Sequence, residues 1–177
     1  MRRTKKNEFR KIKDHDLLDS MWEQIQDSNR SINVDTISDL AKTCGVLDGK
    51  WLFHVDSGGK ADHLWSLVAN GIVKGLIPSH SAKISPLDDL ADRTNKYEHV
   101  VCVYNDNYLD EEQVLLCESG LRKIGIKCPL FYKPDVYTHL GIYRDNEWDL
   151  RPTIYRSNYD ILSGHSKIDF SSAPGHR

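Results

Sequence analysis

The sequence predicts an α+β domain: a curved, mainly antiparallel sheet with helices packed on one face. Three observations predict it. Runs of β-forming residues at 50–55 and 99–104 are bracketed by segments whose apolar residues recur at helical spacing. The last β-like runs are joined by connections short enough for antiparallel neighbours, at Pro134-Asp135 and Asp145-Asn146. A chain of 177 residues, 39% hydrophobic and 28% charged, suits one domain with its own core.

Each element has its own justification. Residues 14–28 read as a helix with Leu17, Leu18, Met21, Trp22 and Ile25 on one side. Asp35 is the expected cap of a second helix with Ile37, Leu40, Ala41 and Cys44 inward, stopped by Gly45. The run 50–55 reads as a strand. It alternates Lys50, Leu52 and His54 on one face with Trp51 and Phe53 on the other. A Ser-Gly-Gly turn leads into a helix at 61–74, with Leu64, Trp65, Val68 and Ile72 inward and Gly75 at its end. Ala82–Ser85 is a short edge strand stopped by Pro86, and 87–97 is a polar loop. Asp110 and Gln113 predict a capping box for a helix carrying Val114, Cys117, Leu121 and Ile124, closed by Gly125. Strands are expected at 128–133, 137–143 and 152–156. The domain is placed at 14–162, between a basic flexible arm at 1–13 and a loose Gly/Ser/Pro-containing tail at 163–177.

The net charge of −2 hides an asymmetry, for residues 1–13 carry about +6 and leave about −8 on the remainder. The arm reads as a solubilising terminus or as a nucleic-acid or nuclear-targeting segment. The acidic body argues against a duplex-binding protein. No apolar run is long enough to span a bilayer, and the basic start lacks the apolar stretch of a secretory signal. A cytoplasmic protein is therefore expected, with the nucleus as a second location. Cys44, Cys102, Cys117 and Cys128 form no CxxC pair, and Asp56, Asp106 and Asp110 are scattered. No metal centre or cofactor is expected.

Candidate site residues lie on the β-like runs. His54 closes its strand, where one ring nitrogen can be fixed and the other can give a proton to a leaving group. The alternative is a structural histidine packed at a strand end. Lys83 projects opposite to Ala82 and Ile84. Partly desolvated beside other cations it could serve as a base, and otherwise it is a charged guard on a sheet edge. Arg144 and Arg151 bracket the loop DNEWDL. Their guanidinium forks suit a phosphate, or they pair with neighbouring carboxylates. Lys50 adds positive charge to the His54 face, and Arg93 lies in the polar loop. Trp148 is the loop tryptophan best placed to stack on a base or grip a peptide.

Two resemblances meet at these residues. The series GKWLFHVD, HLW, AKIS, HVVCVYN, DEEQV, LRKIG, YKPDVYTHLGIY and PTIY resembles the Bles03-like family over roughly residues 48–160. The resemblance implies a fold like that of the cap-binding translation initiation factor 4E. More distantly, the chain is similar to the phosphothreonine lyases of bacterial type III effectors. That similarity implies cofactor-independent β-elimination of phosphate from phosphothreonine in a protein or peptide. It puts the acid at His54 and the base at Lys83, and the phosphate contacts at Arg144, Arg151 and Arg93, with Tyr104 in support. The family's second lysine, two residues before the histidine, is Leu52 here, and Lys50 has to reach in from two residues further back. The alternatives are a non-catalytic module for a phosphopeptide, or one for capped RNA or a nucleotide using Trp148 with Glu147. The sequence assigns no oligomeric state.

Overall fold

The computed structural model describes residues 12–28, 30–86 and 98–175. Helix α1 (His15–Asp27) is capped by Asp14, whose side chain accepts from the Leu17 N–H. The cap of helix α2 (Val34–Cys44) lies two residues before the expected Asp35. It is Asn33, accepting from the N–H groups of Asp35 and Thr36, and Asp35 lies in the first turn. Gly45 ends α2 in the left-handed conformation at φ 70°, as its position predicts.

Strand β1 (Gly49–Asp56) follows, with Trp51, Phe53 and Val55 buried and Lys50, Leu52 and His54 on the opposite face. Helix α3 (Gly59–Val73) and the short strand β2 (Ala82–Ile84) lead to strand β3 (Glu98–Asn105). Helix α4 (Glu111–Lys123) is capped by Asp110, which accepts from the Gln113 N–H. Only that half of the expected capping box forms, because the Gln113 side chain accepts from the Asn107 N–H instead. Strand β4 (Leu130–Pro134) then runs directly into helix α5 (Asp135–His139).

The chain ends in strands β5 (Tyr155–Asp160) and β6 (His165–Asp169). All six strands form one curved antiparallel sheet in the order β2-β3-β1-β4-β5-β6. The row Ala82, Val103, Trp51, Tyr132 and Tyr155 runs across five strands on the core face. Behind it pack Leu18, Trp22, Ile37, Leu40, Val68, Val114 and Leu121 from α1 to α4. The Trp51 indole N–H donates to the Val114 carbonyl at 2.9 Å, fixing α4 to the centre of the sheet.

Three expectations are corrected. Residues 137–143 are not a strand. The Asp135 N–H is taken by the Asp48 carbonyl, and Val136, Tyr137 and Leu140 turn into the core at helical spacing. Tertiary burial thus overrides the β preference of Val-Tyr-Thr. The expected strand at 152–156 begins only at Tyr155. The tail placed after residue 162 instead returns as β6, closing a hairpin on β5 in which Tyr159 faces Ser166. The basic arm up to residue 11, and the 87–97 loop with Arg93, lie outside the described residues. Among the described residues, no helix is long and apolar enough to cross a membrane.

Candidate functional site

The face of the sheet opposite the helices carries the candidate chemistry, and its register decides which side chains meet. One row joins Lys83, Cys102, Leu52, Phe131, Arg156 and Asp169 across all six strands. The neighbouring row joins Tyr104, Lys50 and Lys133 on β3, β1 and β4. The middle of the first row, from Cys102 to Phe131, is apolar. Positive charge therefore gathers to its sides.

Tyr104 is the meeting point. The Lys50 Nζ lies 5.9 Å from its ring centroid and the Lys83 Nζ 5.8 Å, one from each neighbouring strand. Lys50 is also paired with Asp135 and donates to the Thr138 hydroxyl at 3.1 Å. Helix α5, which takes in the expected Pro134-Asp135 connection and the start of the expected 137–143 strand, supplies both partners. Contact with the Tyr104 hydroxyl and its field raise the Lys83 pKa above the ordinary lysine value.

Lys133 behaves in the opposite way. Burial, followed by repulsion from Lys50, lowers its pKa to about 8, with Asp135 partly offsetting both. Its ammonium donates to the Ile142 carbonyl at 2.9 Å and sits 3.8 Å from the centroid of the Tyr143 ring. Tyr143 is itself half exposed, so one aromatic ring separates Lys133 from solvent. Cys102, in the row of Lys83, is buried, and burial pushes its thiol pKa up.

The expected residues divide into groups. Lys50, Lys83 and Tyr104 come together. His54 lies on the same face but further along β1, exposed, with its Nδ1 3.9 Å from a Glu98 carboxylate oxygen. From Lys83 it is two strands and two residues away, about 12 Å between Cα atoms by sheet geometry. Arg151 is held at the far edge, donating to the Ser171 hydroxyl at 3.0 Å and lying 3.8 Å from Asp169. Five strand spacings, roughly 24 Å along the sheet, separate that edge from Lys83. Arg144 is exposed and follows Tyr143 in the turn.

Trp148 is partly buried. It packs edge-on against Trp22 with centroids 4.9 Å apart and leans on the core.

Sequence reasoning missed Lys133, Asp135, Tyr143 and Arg156. Alternation within FYKP opposes Lys133 to Tyr132, a usable signal, but only the β1–β4 register shows that Lys133 faces Lys50. Arg156 lies over the Phe131 ring at 5.5 Å and adds charge beside Asp169. No group of three or more potential metal ligands occurs among the described residues.

Two lysines share one aromatic platform, and a third holds its proton less tightly than an ordinary lysine, with a pKa of about 8. Comparison with known families gives a match to the family described as basophilic leukemia-expressed protein Bles03, over residues 2–141.

Proposed function

The chain belongs to the Bles03 family, and from that premise we propose that it recognises a phosphorylated protein or peptide on the open face of its sheet. The observation that carries this reading is the convergence of Lys50 and Lys83 on Tyr104. A phosphate monoester carries close to two negative charges at neutral pH and demands several cationic donors at short range. Lys50 and Lys83 supply two such donors, and the apolar strip Cys102–Leu52–Phe131 beside them can take the methyl group and backbone of a phosphothreonine. The cytoplasmic or nuclear setting expected from the sequence is part of the same proposal.

The finer reading is a phosphothreonine lyase. A base removes the Cα proton, the freed pair forms the Cα=Cβ double bond, and the Cβ–O bond breaks toward the phosphate. An acid protonates the departing oxygen. His54 is exposed on this face and suits the acid. Lys83 is less suited to the base, because contact with Tyr104 keeps it charged. That same contact favours a second reading, a non-catalytic phosphopeptide module in which Lys83 only holds phosphate. The cap-binding alternative loses support from Trp148, whose ring is engaged with Trp22.

Mass spectrometry of a phosphothreonine peptide incubated with the protein separates these readings. Loss of phosphoric acid that leaves a dehydrobutyrine residue supports the lyase. Loss of HPO3 alone indicates hydrolysis and sinks it. An unchanged peptide that nonetheless binds, and binds about 10- to 100-fold more weakly to Lys50→Met, supports the module. Absence of both turnover and binding removes the phosphate reading.

A further inference from the structure

Among the described residues, Lys133 is the cation on this face whose surroundings oppose its charge. We propose that Lys133 is the proton-linked member of the site: when a phosphate monoester dianion docks between Lys50 and Lys83, the uncharged fraction of the Lys133 amine takes up a proton from solvent, completing a third cation on the face. The inference rests on the phosphate reading above and deepens it by assigning a residue and a proton linkage.

The geometry supplies each part. Lys133 stands directly opposite Lys50 in the β1–β4 register, so its amine feels whatever neutralises Lys50. Three charged or titratable groups face it: Lys50 from β1, Asp135 from the start of α5, and Tyr143 from the turn after α5. Tyr104 is reached only through Lys50. Asp135 is already paired with Lys50. Lys133 is therefore left with a backbone carbonyl and an aromatic ring.

Those two partners can hold an ammonium once it forms, because a carbonyl oxygen and a ring face both attract it. They do not repay its burial beside a second cation, which is why the proton leaves at a pH about 8. A dianion reverses the sign of the local field. It cancels the repulsion from Lys50 and adds an attraction of its own. The reaction is the transfer of a proton from water or buffer to the uncharged fraction of the amine.

The consequence is a binding reaction with a proton in it. Phosphate affinity should fall as pH rises past the free Lys133 midpoint, more steeply than titration of two ordinary lysines allows. In the unloaded site the uncharged fraction of Lys133 is also the amine on this face able to accept a proton.

The test is a lysine side-chain NMR titration of the wild-type protein from neutral to alkaline pH, with and without inorganic phosphate, so that no variant has to fold. The expected result is a free Lys133 midpoint near the value of about 8. With phosphate it should move upward by a tenfold gain in proton affinity, about one pH unit. Calorimetry in two buffers of different ionisation enthalpy should then show proton uptake on phosphate binding that disappears in Lys133→Met. Phosphate-dependent shifts at Lys50 and Lys83 with an unmoved Lys133 midpoint overturn the proton linkage and leave the phosphate reading standing. No response at Lys50 or Lys83 overturns both.

Discussion

At the scale of single residues, the open face separates side chains that fold the protein from side chains free to act. His54 is exposed, with a long contact to Glu98. Replacing it with alanine should change stability by no more than about 0.5 kcal/mol. If the lyase reading holds, the same substitution should abolish turnover while the peptide still binds. Parallel thermal melts and mass spectrometry check both halves. Tyr104→Phe probes the other pole of the site. It removes the hydroxyl that holds Lys83 charged, so the Lys83 pKa should fall back toward 10.5. A lysine NMR titration reads this directly, and an unchanged Lys83 midpoint would show that the hydroxyl does not set it.

At the scale of elements, two junctions hold the open face in shape. The first joins α4 to β5. The Arg122 guanidinium donates to the Glu118 carboxylate, the Ile126, Cys128 and Ser157 carbonyls, and the Ser157 hydroxyl. Glu118 also accepts from the Ser157 hydroxyl at 2.6 Å. Arg122→Ala leaves a buried carboxylate with one neutral donor and should cost about 3–5 kcal/mol in urea unfolding. A double Glu118→Met, Arg122→Met variant should recover only part of that loss, because three carbonyls still lose their donor.

The second junction is Gly49, at the start of β1. A Cβ there would stand 2.5 Å from the Tyr132 hydroxyl oxygen and 2.8 Å from two ring carbons. Gly49→Ala should therefore destabilise by about 1–3 kcal/mol through displacement of a fully buried ring. A midpoint equal to wild type would mean that Tyr132 shifts freely.

At the scale of the whole molecule, pH acts on buried groups in opposite directions. Burial pushes the Cys117 thiol up to about 12 from 9.0, and the Tyr108 and Tyr155 hydroxyls up to about 12 from 10.0. The unfolded chain gives up these protons first, so their effect is that stability falls as pH rises through this range. Lys133, at about 8 against 10.5, works the other way. Between those two values the unfolded chain holds more protons, and its contribution to stability rises with pH. The expected profile is shallow from about pH 8 to 10 and falls beyond 10.5, where Lys133 is neutral in both states. Unfolding in reductant across this range checks it, and continued gain of stability above 10.5 would contradict it. Lys133→Met should remove the rising component alone.

What the sequence determined by itself is what local chemistry controls. Alternation in KWLFHVD assigned Lys50, Leu52 and His54 to one face, since strand side chains repeat every two residues. Caps and stops at Asp110 and Gly45 were legible because each acts within a few residues of itself. Tertiary structure decided everything that depends on pairing between distant segments. Only the β1–β4 register sets Lys133 opposite Lys50, and only the strand order sends Arg151 to the edge remote from Lys83. The burial and surroundings of particular loop and charged residues, too, were beyond the sequence. They turned 135–139 into a helix that brings Asp135 to Lys50, took Trp148 into packing with Trp22, and made two lysines on one face titrate in opposite directions. The physical reason is the same in each case: solvation and Coulomb energy depend on which groups surround a charge, and those neighbours lie far away along the chain.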